Sequence, residues 1–412
     1  MSYHTSEYLN SGKILVGCGK TSWWYDPRLE DPQNPTHFKK FIPISTVQEK
    51  LFGWETYESV ELLAKFVIDG KEYVVPVNSY KALGRGDWII DGVPDTEESG
   101  ADAILAIQGE SYSVHQLKKI FIQNTAEMLG GADSLGVMSA GLLKWGRRAW
   151  ITVSIGEDLH SDAANFDYRP CLTVSTSFDG SLPTSWTRTF DFPVCDNTLD
   201  YQLMKAGETG KFVLKHTKNS LGRIGDAKIA LGLLEEQADV MDKALAELVN
   251  VEVSEKQFYR WLDEMVPIQD VKVSQKPVSI QGQTVMADSV STRGQTISLK
   301  KRDRLAEMWD SDPRVAPWKN TKFGVLQLWN TFQHHETTVK GATALGSKMA
   351  ARVESNMMRV IRPQDANSFA SMDAKAMEKL DVILAETVSV AGAAPAATAT
   401  KSRTRKQNPA AN

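Results

Sequence analysis

Cysteine is scarce: Cys18, Cys171 and Cys195 are the only three in 412 residues, widely spaced and odd in number. No Cys-x-x-Cys pair occurs, so neither a zinc knuckle nor a disulfide framework is indicated, and a reducing compartment is the natural setting. Long apolar runs are lacking as well. Nowhere does the chain approach the roughly 18 consecutive apolar residues a membrane-spanning helix needs, and Met1 to Asn10 holds no apolar stretch of the signal-peptide kind. Nor is there an excess of positive charge. With 47 Lys and Arg against 51 Asp and Glu the formal net charge is -4, which argues against a polycation that simply coats DNA but leaves room for a local basic groove. No internal repeat is visible. These absences point to a cytoplasmic protein with no membrane partner.

What is present suits a globular chain of two or three domains: 42% hydrophobic and 24% charged residues, enough to bury a core. Residues 1–60 are irregular, with aromatics and prolines dense between Trp23 and Pro35. Phe66–Ile68 and Tyr73–Val77 flank Asp69-Gly70, a hairpin signal because glycine accepts the positive φ such turns demand. Apolar residues recur at helical spacing over Val114–Leu129 (Leu117, Ile120, Phe121, Met128). Strands are predicted at Trp150–Ile155, Cys171–Ser177 and Ser185–Phe192, with Asp179-Gly180 as a turn and Phe212–His216 as a fourth strand. A long helix is expected at about Leu221–Val249, and a shorter one at Ser254–Met265 with Ser254 as N-cap. Val266–Gln295 is polar and resists assignment. Helices follow at about 298–309, 321–335, 342–360 and 372–388.

The predicted fold class is therefore α+β: an antiparallel strand meander packed against a long helix, with a helical C-terminal part and a disordered tail. The expected divisions are an irregular and hairpin region 1–110, an α+β core 111–265, a mostly helical region 266–388 and a basic tail 389–412. That tail has too few large apolar groups to offset the entropy of ordering it.

Motifs that suggest chemistry are weak. Gly19-Lys20-Thr21 lacks the earlier glycine of a phosphate-binding loop, since that position is Ile14. Leu83-Gly84-Arg85-Gly86-Asp87 lacks a third glycine and is expected to be a turn. His334-His335-Glu336 has no second histidine at helical spacing, so a solvated helix end is favoured over a metal site. Cys195 and His216 could form a thiol–imidazole pair only if brought together; Asn197-Thr198 better suits a helix cap starting near Leu199. Asp179, Asp196 and the acids Glu157, Asp158, Asp162 and Asp167 are scattered rather than clustered for two-metal chemistry. No catalytic residue, metal or cofactor is expected.

Basic residues carry more. Lys205, Lys211, Lys215, Lys218, Arg223 and Lys228 face only Glu208 and Asp226 between 201 and 230, with His216 among them. Lys144, Arg147 and Arg148 flank Trp145, and Lys300-Lys301-Arg302 with Arg304 form a third set. Cations beside exposed rings are what single-stranded nucleic acid needs, charge for phosphates and flat faces for bases. The candidate DNA contacts are Lys144, Arg147, Arg148, Lys211, Lys215, His216, Lys218 and Arg223. Trp145, Trp150 and Trp186 are expected in the core rather than as stacking platforms, with Trp145 the best candidate among them for exposure.

Several segments in order resemble the phage/plasmid-like protein family, domain of unknown function 932. They are Gly109-Glu110-Ser111-Tyr112-Ser113-Val114, Gly141-Leu142-Leu143 and Gly146-Arg147-Arg148-Ala149-Trp150. Ser177-Phe178-Asp179-Gly180-Ser181, Val194-Cys195-Asp196-Asn197-Thr198-Leu199, Lys215-His216-Thr217 and Trp329–His334 continue the series. The resemblance runs over about residues 10–360 and departs at Trp23-Trp24, where a Trp-His pair followed by glycines is expected. It implies a role in mobile-element DNA metabolism or host takeover, in a bacterial host cell. The strand meander followed by helices is also similar in outline to single-strand annealing recombinases of the RecT, Redβ and Erf types. That likeness implies ATP-independent annealing by a homo-oligomer on single-stranded DNA. The alternatives are a host-takeover or anti-defence protein that binds a host or phage protein, and an unrecognised nuclease or hydrolase.

Overall fold

The computed structural model describes residues 15–19, 25–93, 102–129, 131, 136–191, 211–220, 222, 235–280, 283–338, 345–362 and 365–392. The protein is α+β, with an antiparallel sheet at its centre and a helical C-terminal part.

Strands β1 (Leu15–Cys18), β2 (His37–Phe38), β8 (Gly136–Leu143), β9 (Arg148–Ser154), β11 (Phe166–Ser177), β12 (Thr184–Asp191) and β13 (Lys211–Leu214) form the main sheet in the order 13-12-11-9-8-1-2. The short β10 (Leu159–Ser161) pairs with β11. All these pairings are antiparallel except β1 with β2. One face buries Val137, Ile151, Val153, Leu172, Val174 and Trp186. It is covered by a helix that starts π-helical at Lys118–Asn124 and continues α-helical over Thr125–Leu129 (α3), through Leu117, Ile120, Phe121 and Met128. Period-2 strands and a helical stripe thus meet in one apolar layer. On the other face hydroxyls bond from strand to strand: Thr152 to Thr173 at 3.0 Å, Thr173 to Thr189 at 3.1 Å and Ser175 to Ser185 at 3.0 Å.

The N-terminal stretch joins this core instead of standing apart. Val47, Leu51 and Phe52, on or just after helix α1 (Ile44–Lys50), are buried with Trp54 and Leu83 in the same cluster. A three-stranded sheet, β3 (Thr56–Glu58), β6 (Tyr80–Arg85) and β7 (Ile104–Gly109), lies beside it. Between β3 and β6 the chain runs out and back as the hairpin β4 (Leu63–Ile68) and β5 (Lys71–Pro76). Asp69 and Gly70 take φ of 51° and 75° at its turn, the two positive values a type I′ turn requires.

The helical part has its own core. The long helix α4 (Glu235–Asn250) sets Leu245 and Leu248 against Ala164, Phe166 and Tyr168 at the β10–β11 end of the meander. Helices α5 (Glu255–Met265), α6 (Arg293–Ser311), α7 (Lys322–Thr331) and α9 (Phe369–Gly392) complete it around Phe258, Trp261, Trp309, Phe323 and Leu380. Ser254 caps α5 in a reciprocal capping box with Gln257. Helix α8 (Leu345–Ile361) ties the two halves together, with Glu354 3.7 Å from Lys144 and Met358 accepting from Arg148. No helix of the described residues is long and apolar enough to cross a membrane.

Several sequence expectations need correction. The unassigned 266–295 stretch holds a nine-rung hairpin, β14 (Lys272–Ile280) with β15 (Gln283–Ser291); its exposed strands lack the inside–outside alternation that marks a core strand. Leu83–Asp87 is the junction of β6 with a short helix, Gly86–Asp91 (α2), rather than a turn. There Arg85 is buried between the rings of Trp54 and Trp88, at 4.6 and 4.2 Å, and bonds Asp87. Trp145 is buried, as are Trp150 and Trp186, in keeping with the core expectation, and it packs 6.1 Å from Trp88. His334, expected at a solvated helix end, is 3% exposed and stacked on Phe369 at 3.6 Å. The final helix continues to Gly392, past the expected start of the tail. The remaining tail residues, most of the start of the long helix (221 and 223–234) and the 192–210 segment with Cys195, Asn197 and Thr198 lie outside the described residues.

Candidate nucleic-acid interface

Segments far apart in the chain converge at the β12–β13 edge of the main sheet. The β11–β12 turn is fixed by Asp179, which accepts from the Ser181 backbone N–H at 2.9 Å and from Arg148 Nε at 3.0 Å. Residues 108–115 lie along this turn. Gln108 donates to the Phe178 carbonyl at 2.7 Å and the Tyr112 hydroxyl donates to the Ser177 carbonyl at 2.7 Å. His216, just past β13, donates from Nδ1 to the Ser113 carbonyl at 3.1 Å, while the Ser113 N–H donates back to the His216 carbonyl at 3.0 Å. The His216 ring stacks on Tyr112 at 4.6 Å and lies 4.2 Å from His115.

His115 is fully buried, with Nδ1 2.7 Å from the Thr184 hydroxyl and Nε2 3.0 Å from that of Ser220. Thr184 in turn bonds Thr176 at 2.7 Å, and Thr176 lies 3.4 Å from His216 Nε2. The protons in this chain can be followed from one end. Ser220 donates to the Thr217 carbonyl at 2.7 Å, so it accepts from His115 Nε2–H. A neutral His115 then accepts at Nδ1 from Thr184, and Thr184 accepts from Thr176. Thr176 has no further proton to offer Nε2 of a neutral His216, and that link is the longest in the chain. Burial holds His115 down to about 3, reinforced by the charges of His216 and Lys119. Burial also lowers His216, against the pull of the Ser113 and Leu182 carbonyls. Burial raises the Tyr112 phenol, helped by Asp179. For Asp179 burial pushes upward, but the Ser181 bonds and then Arg148 outweigh it and leave the carboxyl lowered.

The exposed residues that neighbour the buried His115 and the half-buried His216 in the chain include four lysines. Lys118 and Lys119 follow His115 on the exposed side of α3, and Lys215 and Lys218 flank His216. All four are exposed, and none has an ion-pair partner among the described residues. The other sequence candidates are placed differently. Arg148 is paired with Asp179, Arg147 lies 3.7 Å from Asp102 and donates to the Ile104 carbonyl, and Lys144 faces Glu354. Lys211 lies on the edge strand β13, and Arg223 is outside the described residues. Lys215, His216 and Lys218 are thus brought together, while Lys144, Arg147 and Arg148 serve the joint between sheet and helices. Sequence reasoning missed Lys118, Lys119 and His115. Their only signal was position, directly after the Gly109–Val114 segment.

The segments that meet here, 109–114, 146–150, 177–181 and 215–217, are four of those that carry the family likeness. The family model described as "Domain of unknown function (DUF932)" matches residues 104–367, more than half of the chain. The chain belongs to the DUF932 family. The match begins at 104 rather than near residue 10, so β1 to β6, with the β4–β5 hairpin, precede the DUF932 region and β7 opens it. That region contains the whole Tyr112–His115–His216 cluster, together with α4 through α8. No curated protein and no solved structure matches the chain. Among the described residues no group of three or more His, Cys, Asp or Glu is disposed to hold a metal ion.

Proposed function

We propose that this DUF932 protein binds single-stranded DNA without covalent chemistry, as an annealing-type factor of a phage or plasmid that needs no ATP. The observation carrying the reading is the set of four exposed lysines, Lys118, Lys119, Lys215 and Lys218, that have no ion-pair partner among the described residues and neighbour the hydrogen-bonded pair His115 and His216 in the chain. Unpaired lysines can exchange counterions for phosphates at no cost in broken ion pairs, whereas Arg148 would have to leave Asp179. The stacked Tyr112–His216 rings and the bonded turn beneath them keep the lysine-bearing segments in fixed register, so the backbone of a strand would meet a preformed row of charge.

The experiment is binding of fluorescent single-stranded and duplex oligonucleotides across a salt series, with annealing of complementary strands followed in the same samples. Single-strand affinity should fall steeply with salt, with a log–log slope of about -0.7 per phosphate contacted. Replacing the four lysines by glutamate should abolish binding and annealing together. No binding at moderate salt, or binding unchanged in the four-lysine variant, overturns the reading.

A further inference from the structure

The Trp329–His334 segment also carries the family likeness, and it lies in the helical part of the molecule. All ten residues of α7 are buried, and the helix runs on into a π-helical turn, Phe332–Glu336, a widened geometry often found at functional sites. We propose that this turn, together with α8 and Phe369, forms a second binding site whose ligand is a small oxyanion, a phosphate or carboxylate group.

His334 is stacked on Phe369, and its Nε2 is buried with no hydrogen-bond partner among the described residues. Helix α8 turns one face toward it. Arg352 donates to the His334 and Thr337 carbonyls at 3.1 and 2.7 Å, and Asn356 donates to the His334 carbonyl at 3.1 Å. Arg359 follows on the same face of α8, three positions beyond Asn356 and seven beyond Arg352. Its guanidinium lies 5.5 Å from the centre of the Phe369 ring. The imidazole of His334 and the guanidinium of Arg359 are thus both supported by Phe369.

Arg359 is half-buried and has neither an ion pair nor a hydrogen bond among the described residues. Arg352 bonds neutral carbonyls, likewise without an ion pair among the described residues. A guanidinium drawn out of water needs an anion to offset the lost hydration, and burial lowers the proton affinity of both arginines without removing their charge. The nearest carboxylates in the chain are engaged elsewhere. Glu336 accepts from Arg304 at 2.7 Å, Glu354 faces Lys144 at 3.7 Å, Asp365 lies 3.6 Å from Arg362, and Asp373 accepts from Asn330 at 2.7 Å. Burial, then the charges of His335 and Arg359, hold His334 well below the ordinary histidine value, so its ring is neutral. An oxyanion meets both needs. Two oxygens accept from the planar fork of Arg359, and one accepts from a His334 that carries its proton on Nε2.

The test is the phosphorus NMR linewidth of inorganic phosphate titrated with the full chain at constant ionic strength, with the proton linewidth of acetate as a parallel arm. Wild type should broaden at least one probe saturably, with a dissociation constant of about 1 mM or tighter. The probe that binds identifies the group as phosphate or carboxylate. Arg359→Gln, with unchanged circular dichroism, should weaken binding about 10-fold or more. Arg359→Lys keeps the charge but loses the planar fork, so it should also bind more weakly, and it decides the matter if the glutamine variant does not fold. The variant with Lys118, Lys119, Lys215 and Lys218 replaced by glutamate should bind the probe as wild type does, which separates this site from the nucleic-acid one. Saturable binding of neither probe overturns the proposal. So does binding that survives every folded Arg359 variant, or that vanishes with the four lysines.

Discussion

The His216 imidazole lies flat on the Tyr112 ring, their centroids 4.6 Å apart and their planes 8° from parallel. This contact joins a loop that enters α3 to the segment that follows the strand β13. The two residues are 104 positions apart in the chain, and the Tyr112 hydroxyl pins the pair to the end of β11 through the Ser177 carbonyl.

Removing that hydroxyl and removing the ring should have distinct costs. Tyr112→Phe keeps the stack and strands one carbonyl, a loss of about 1 kcal/mol. Tyr112→Ala also loses the ring's packing and should cost about 3 kcal/mol or more. Urea denaturation of the two variants beside wild type measures the difference. Equal losses would mean the stack contributes nothing to stability.

Stability should fall as the solution is acidified from neutrality. His115 is held down to about 3 and His335 to about 4, chiefly by burial, and burial also keeps His216 and His334 below their ordinary value. A histidine depressed in the folded state takes up its proton more readily in the unfolded chain. Its contribution is therefore complete above about pH 6.5 and is lost as pH falls toward the folded value. For His115 alone the loss is about 1.4 kcal/mol per pH unit over that window. Denaturation midpoints at pH 7, 6 and 5 should drop progressively. A midpoint that holds constant over this range would show that these rings are charged in the folded protein.

Gly141 and Trp150 face each other across β8 and β9, and the indole folds over the glycine. A Cβ at Gly141 would stand 2.0 Å from the Trp150 ring, so Gly141→Ala must displace the indole or part the strands. The expected cost is about 3 kcal/mol, at the upper end for overpacking. Adding Trp150→Val should recover part of it, because the clash then has no second party. Strictly additive losses from the two substitutions would refute the account.

Local order was legible wherever one physical signal dominated. Asp69-Gly70 announced its hairpin because two consecutive positive-φ positions are needed there, and the Ser254 cap was visible because a serine before an amphipathic run satisfies open N–H groups. The strand β8 was missed because Gly136-Val137-Met138-Ser139-Ala140-Gly141 is built of small residues that carry little β signal; it is a strand because Trp150 and its neighbours on β9 need something thin to pack against. The β14–β15 hairpin escaped for the opposite reason, since both of its faces are exposed and no alternation marks it.

The sequence by itself determined the α+β class, the order of most elements and the family, because these depend on periodicity, turn chemistry and short ordered motifs that are local along the chain. Tertiary structure alone decided which charges are available. Lys144, Arg147 and Arg148 look like a basic cluster in the sequence, yet Glu354, Asp102 and Asp179 approach them from distant segments and neutralise them. His115, kept uncharged by burial and by the charges of His216 and Lys119, meets His216 only because the fold returns residue 216 to the entry of α3. Charge pairing acts through space over a few ångströms, and separation along the chain carries no information about it.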